Sequence, residues 1–487
     1  MSAIVIKKCR KRNGSNPTRE LHPAMCPGFD SEDSEWASSP EAISLLSIIP
    51  ALTIPIEDRA FCYFRSTFVI GNARSFRYLE SLYAHGDMDD HLSVSIRAVG
   101  LASLSKAVRS RDLENQAMQS YVSALRMINT AITSSDIATN DTTLSAVMLL
   151  DQFEKIIPPT ERTTQAWRNH LNGATALMKM RGREQFQTKA GLEMFIQMSS
   201  HILVSCMQHT IPLPQDYLTL RTFATNFLDT SDISWRLSQV TVRYINFRAA
   251  IKSGSLFDPD TIIATATEMD TDMASLMAEF PTEWLPQTIP LTKPSDLVYE
   301  LHYDLYADYR LAEALNMVRA GRIPLLDLIR EQCQVAPSSP GSCQAFAYMK
   351  RVQRVKDNVA DMVAVICASV PQLAGYLPLS DTPSSSRHSS PESMASMGSD
   401  STTKGMKLNP GNEASAYSLL WPLFTVANSP ACSELAKVWI IRQLRILGRL
   451  LSSEQALELA GCLERREERD VWAVYAILGS ICYSCNG

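Results

Sequence analysis

Leu113, Ala117, Tyr121, Leu125, Ile128 and Ile132 recur at spacings of four, four, four, three and four residues. A helix turns once in about 3.6 residues, so that rhythm places all six side chains on one stripe. A stripe of this kind is stable only when another apolar surface covers it. Thr133-Ser134-Ser135-Asp136 breaks the pattern, and Asn140 or Asp141 then stands where a new helix needs a cap. That second helix carries Leu144, Val147, Met148 and Leu150 and stops at Pro158-Pro159. Similar periodicity predicts helices near Trp167–Met180, Leu192–Gln208, Trp235–Ile251, Leu297–Ala320 and Leu435–Leu451. No strand-like alternation bounded by hairpin turns competes with it, and no steady repeat of a solenoid is present.

The expected fold is therefore all-α, an irregular multi-helix bundle or array. Hydrophobic residues make up 45% and charged residues 20% of the 487 residues, a balance able to bury a large core. Two stretches cannot join that core. Residues 1–41 are polar and charged, and Ser380–Ser401 holds ten serines with Pro383, Pro391 and Gly398; both compositions predict disorder. The resulting domain reading is a tail at 1–41, a helical body at 42–379, a Ser/Pro-rich insertion at 380–413 and C-terminal helices at 414–487. The run Tyr417, Leu419, Leu420, Trp421, Leu423 and Phe424 is too apolar to stand in water, so these last helices are expected to pack on the body. The stripe of Leu113, Tyr121, Leu125 and Ile128, or its neighbours, is their expected cover.

The net charge is −5, which argues against a surface that coats nucleic acid. Positive charge is local: within residues 1–30, six cations (Lys7, Lys8, Arg10, Lys11, Arg12 and Arg19) oppose two acids (Glu20 and Asp30), a balance of +4. The hexapeptide Lys7–Arg12 reads as a nuclear import signal or a phosphate-contacting arm, or as a solvated tail. Eleven scattered cysteines suit an intracellular protein with reduced thiols rather than a disulfide framework. No apolar segment follows the basic start as in a secretory signal, and no run is long enough to span a membrane.

Motifs that carry chemistry are scarce. No Gly-rich phosphate loop, H-E-x-x-H or G-x-S-x-G occurs, and no catalytic, cofactor or metal residue is assigned. Cys206-x-x-His209 and Cys482-x-x-Cys485 have ligand-like spacing, but neither has a second pair nearby, and buried thiols are the expected reading. His85 and His91 flank Asp87, Asp89 and Asp90 in a segment that reads as a solvated loop. Asp151 and Glu154 stand one helical turn apart with no partner base, as on a solvated face. Arg97 between Ile96 and Val99 implies a buried ion pair or a side chain reaching the surface. Trp421-Pro422 predicts a kink that shapes a groove, or simple packing.

Several phrases stand in order along the chain: Ile49-Pro50-Ala51-Leu52, Ala60-Phe61-Cys62-Tyr63-Phe64 and Val94-Ser95-Ile96-Arg97-Ala98-Val99-Gly100-Leu101. Tyr121-Val122-Ser123-Ala124-Leu125, Trp167-Arg168-Asn169-His170-Leu171-Asn172-Gly173-Ala174, Arg181-Gly182-Arg183-Glu184-Gln185 and Ile211-Pro212-Leu213-Pro214 continue the series. Ser415-Ala416-Tyr417-Ser418-Leu419-Leu420-Trp421-Pro422-Leu423-Phe424 and Asn428-Ser429-Pro430 close it. Together they resemble the regulatory domain of fungal-specific transcription factors of the binuclear zinc-cluster type. The resemblance implies a nuclear, all-helical, non-enzymatic regulator of RNA polymerase II genes, often of metabolic or secondary-metabolite gene sets.

Such factors read DNA through six Cys thiolates holding two zinc ions. Here the head offers Cys9 and Cys26, in a Cys26-Pro27-Gly28-Phe29-Asp30 phrase like the end of such a cluster. With His22 that makes three candidate ligands, and one closed structural zinc site takes four. An incomplete or missing cluster is therefore expected, with no cofactor unless a corrected N-terminus restores zinc. DNA contact is then weak or indirect, and the expected partners are co-regulators or a related full-length factor, as a homo- or heterodimer. The alternative reading is a truncated interaction module that modulates a full-length factor without touching DNA. No membrane partner is expected.

Overall fold

The computed structural model describes residues 54–70, 76–85, 89–157, 164–336, 342–376 and 413–478. The tail 1–41, the Ser380–Ser401 stretch, Asp87 and the Cys482/Cys485 pair lie outside the described residues. Among the described residues the chain is all-α apart from one two-stranded sheet. It divides into two compact units, Met1–Ser199 and Ser200–Gly487.

In the first unit, α1 (Ile56–Phe64) runs on as a π-turn over Arg65–Val69. It is followed by α2 (Leu79–His85), α3 (Asp90–Val108), α4 (Arg111–Ala131), the single turn α5 (Ser135–Ala138), α6 (Asp141–Ile156), α7 (Thr164–Arg181) and the start of α8 (Lys189–His209). α3 is apolar on most sides and is packed by α1, α4 and α6. Its Gly100 lets α1 approach to the backbone: a Cβ there would lie 2.3 Å from the Ala60 carbonyl oxygen. α3 ends at Arg109 in the left-handed region (φ 52), and Ser110 then caps α4 by accepting from the Leu113 N–H at 3.4 Å. The α4 stripe buries Ala117, Tyr121, Ile128 and Ile132, while Leu113 and Leu125 are half-buried. It meets α3 and α6, and the Tyr121 ring stacks on Phe153 with centroids 4.4 Å apart. Asn140 stands at the α6 cap position but makes no side-chain bond there.

The second unit continues through α9 (Gln215–Ala224), α10 (Ile233–Lys252), α11 (Pro259–Ala278), β1 (Gln287–Pro290), β2 (His302–Leu305), α12 (Tyr309–Val335) and α13 (Cys343–Leu373). The hairpin corrects the expected helix over Leu297–Ala320. β1 and β2 pair antiparallel in register from Gln287 with Leu305 to Pro290 with His302, and the helix begins only at Tyr309. The physical reason is visible in hindsight: Pro286, Pro290 and Pro294 withdraw helical donors upstream. The Gln372 side chain then caps the ladder, accepting from the Tyr306 N–H and donating to the Tyr306 carbonyl, both at 2.8 Å.

The C-terminal helices are α14 (Glu413–Ser418), α15 (Leu420–Asn428), α16 (Glu434–Leu450), α17 (Glu454–Glu464) and α18 (Val471–Ile477). α15 is buried on all sides and touches α12, α13, α16, α17 and α18. Trp421 is 2% exposed, donates from its indole N–H to the Val471 carbonyl at 2.7 Å, and packs against the rings of Trp472 and Tyr475. Pro422 lies in the first turn of α15, and its missing N–H falls four residues after Ser418, where α14 ends. Leu419 between the two helices keeps right-handed helical angles (φ −71, ψ −23), so the helical run is interrupted where the proline withdraws its donor, and the Trp-Pro step belongs to the core.

Candidate functional site

The residues singled out in the sequence take structural roles. Cys206 is fully buried, and burial pushes its thiol up to about 12. His209 directs Nδ1 at the Ser205 carbonyl (3.1 Å), so the two residues of this pair serve different neighbours. His91 is buried, with Nε2 3.2 Å from the Thr143 hydroxyl and 3.9 Å from the Asp89 carboxylate. Burial holds its pKa below the usual value, against the pull of Asp89 and Asp90. Asp89 also accepts from the Thr142 hydroxyl at 2.6 Å, so what read as a solvated loop pins the start of α3 to α6. Arg97 is exposed and bridges to Glu57 at 2.9 Å, tying α3 to α1. Asp151 pairs with Lys155 at 2.7 Å, and Glu154 accepts from the Tyr121 hydroxyl at 2.8 Å.

Glu458, Cys462 and Glu467 bring ligand atoms within 4.8 Å of one another. Two guanidiniums already fill that space. Arg465 bonds Glu467 at 2.5 Å and Glu458 at 3.3 Å, and Arg469 bonds Glu458 at 3.2 Å and Glu467 at 3.1 Å. A cation entering here would have to displace both, and burial and the two carboxylates raise the Cys462 thiol to about 11.

A groove of about 290 Å³ lies between α10 and α11. Asp232 caps α10 by accepting from the Trp235 N–H at 3.0 Å, and Asp258, ahead of Pro259, caps α11 by accepting from Thr261 at 2.9 Å. These caps and the turn at Gly254 (φ 73) set the two helices side by side. Trp235, Gln239 and Ser275 line the groove, with Arg236 and Arg243 at its edge. Arg243 reaches Asp272 at 2.6 Å and Glu268 at 2.7 Å, and Arg236 makes a two-pronged pair with Glu279. That pairing raises the Arg236 pKa and lowers that of Glu279.

Behind the indole sits Arg221, 4% exposed, its guanidinium carbon 4.0 Å from the Trp235 ring centre. It donates to the hydroxyls of Ser238 (2.5 Å) and Tyr217 (3.4 Å), while its Nε–H has no partner among the described residues. A buried cation held by an aromatic face and neutral hydroxyls fixes the ring. The groove thus offers a positioned aromatic surface rimmed by balanced charge, which suits binding rather than bond-making. Sequence reasoning missed it because Arg236 and Arg243 show only as two cations on one helix; their acids lie on the next helix.

Asp327 on α12 is a half-buried carboxylate held by a single hydroxyl. Burial raises its pKa from 3.8 to about 6, although the Ser429 hydroxyl donates to it at 2.8 Å. Ser429 belongs to the Asn428-Ser429-Pro430 phrase, so this bond ties the end of α15 to α12. The unfolded chain releases this proton near 3.8, whereas the folded chain holds it to about 6. The folded state therefore binds more protons in that window, and stability falls as pH rises through it. Asp327→Asn keeps an acceptor for Ser429 and removes the titration. The variant is expected to gain up to about 3 kcal/mol on wild type between pH 4 and pH 7. Urea melts at both pH values check this; an equal difference at both would overturn it.

No helix among the described residues is long and apolar enough to cross a membrane. Neither a curated protein nor a solved structure matches the chain. A family model does: residues 61–233, from α1 to the first residue of α10, match the fungal specific transcription factor domain. Its span takes in Gly100, the α4 stripe and Arg221, and it begins one residue after Ala60 and ends two before Trp235. On that match and on its helical architecture, the chain carries a fungal specific transcription factor domain.

Proposed function

We propose that this protein is a nuclear regulator of RNA polymerase II genes, of the kind that controls metabolic or secondary-metabolite gene sets. It acts through its helical body by engaging co-regulators or a related full-length factor, not by catalysis. The family match over residues 61–233 carries the reading. The structural engagement of the perturbed groups supports a binding body: Cys206 and His91 are packed, Asp327 holds Ser429, and the arginines at the α10–α11 groove hold carboxylates. Recruiting the full chain to a reporter promoter through a heterologous DNA-binding domain is expected to change transcription. Unchanged output with either sign of promoter would overturn the reading.

A second reading, modulation without direct DNA contact, is favoured by the head. Cys9, Cys26 and His22 are one ligand short of a closed zinc site. We expect less than one zinc per purified chain by elemental analysis. DNA affinity should come from the +4 head, fall steeply with salt and differ little between sequences. Two tightly held zinc ions, or a strong preference for one short site, would restore direct DNA reading.

A further inference from the structure

The two halves of α13 live in different surroundings. From Met362 onward the helix is core, with Val363, Ile366, Cys367, Val370 and Leu373 buried. In the half before it, Tyr348, Val355 and Val359 form the buried stripe, at spacings of seven and four, and most of the remaining surface faces water. Phe346 and Met349 are 63% and 67% exposed there. Lys350, Arg351, Arg354 and Lys356 follow, all exposed, and none has an ion-pair or hydrogen-bond partner among the described residues. Elsewhere in the unit exposed arginines are commonly engaged, as Arg236, Arg243, Arg442 and Arg445 are. The acids near this run are Asp357, which accepts from Gln353 at 2.9 Å, and Asp361. The face keeps a net +2 (four cations, two acids) on a chain whose total is −5.

The helix beneath this face is held firmly. Ser342 caps it by accepting from the Ala345 N–H at 3.1 Å, and the Tyr348 hydroxyl donates to Asp260 on α11 at 2.7 Å. With 100° per residue, Phe346, Lys350 and Arg354 fall on one line at i, i+4 and i+8. An apolar pair and the cations that follow it therefore share one capped helix rather than a loop.

We propose that this face docks an acidic peptide segment of a partner protein, one that also carries large apolar side chains. Carboxylates of the partner pair with Lys350, Arg351, Arg354 and Lys356, and its apolar anchors cover Phe346 and Met349. A nucleic-acid backbone would satisfy the cations, but it would leave the two apolar side chains uncovered. The proposal stands on the chemistry of this surface and does not require the regulatory reading above.

The test uses the full chain and a fluorescein-labelled peptide of about 20 residues, rich in Asp and Glu with Leu and Trp at helical spacing. Saturable binding that weakens with salt is expected by fluorescence anisotropy. The double variant Lys350→Glu/Arg354→Glu should weaken it at least about tenfold, and Phe346→Ala/Met349→Ala should weaken it as well. All these side chains are exposed, so helicity and melting should match wild type. Arg59→Glu/Arg126→Glu, a reversal of exposed cations elsewhere, should leave binding unchanged. The proposal fails if the wild-type chain shows no saturable binding, or if the control pair lowers it equally. It also fails if short duplex DNA binds more tightly through the same four cations, which would make the face a nucleic-acid surface.

Discussion

Gly100→Ala is expected to destabilise the first unit by about 3 kcal/mol, even though alanine is the better helix former by about 1 kcal/mol. The added methyl would stand 2.3 Å from the Ala60 carbonyl oxygen, 2.8 Å from its carbonyl carbon and 3.3 Å from Phe64 Cβ. Two of those obstacles are backbone, so no rotamer change relieves the clash and α1 must move as a body. Ala60 and Phe64 are both fully buried, and Phe64 also packs against the rings of Phe68 and Phe76. A shift of α1 therefore loosens the aromatic cluster with it. The same substitution at Gly321 on α12 tests the argument in reverse. There the new Cβ meets only Trp472, at an ordinary 3.9 Å, and a gain of about 0.5–1 kcal/mol is expected. Urea unfolding followed by circular dichroism separates the two. A Gly100→Ala chain as stable as wild type would show that α1 is not seated on α3 as described.

Truncation before Ala414 should be more severe, leaving a chain that aggregates and loses helicity in the second unit. Leu419, Leu420, Trp421, Leu423 and Phe424 are each at most 2% exposed, and their burial is worth on the order of 10 kcal/mol together. α14 and α15 supply this surface to α12 and α13, so removing them bares apolar faces on both long helices. Polar bonds go with it: Asp327 loses Ser429, and the Tyr376 hydroxyl loses Gln443 at 3.0 Å. The shortened chain should run in the void volume on size exclusion and bind a hydrophobic dye. A soluble, monomeric fragment with a cooperative melt would show that the C-terminal helices form a domain of their own.

Recognition of the family rested on short phrases, and their physical content emerges only in the fold. Ala60 and Gly100 stand in different phrases and are partners in one backbone contact. Arg181 contacts the Thr139 carbonyl at 2.7 Å and pairs with Asp141, joining the end of α7 to the start of α6. Ser429 is the donor to Asp327. Each of these partners lies tens of residues away, beyond the reach of any pattern of spacing.

What the sequence determined by itself was local: where helices run, where they start and stop, and which stripe of each is apolar. The 3.6-residue rhythm of Leu113 to Ile132 and the serine caps at Ser110 and Ser433 are written within a few positions of one another, because helical hydrogen bonds and caps close over three or four residues. Tertiary structure alone decided what covers each stripe. The α4 stripe meets α3 and α6, whereas the C-terminal helices meet α12 and α13, and nothing in two apolar stripes distinguishes one cover from another, since burial of apolar area carries no address. The β1–β2 ladder was hidden for a related reason: its rungs join residues twelve or more positions apart, and strands of four residues leave too short an alternation to read. The α10–α11 groove and the cationic face of α13 are likewise properties of the assembled surface, where a neighbouring carboxylate, or the lack of one among the described residues, separates a structural arginine from one free to meet a partner.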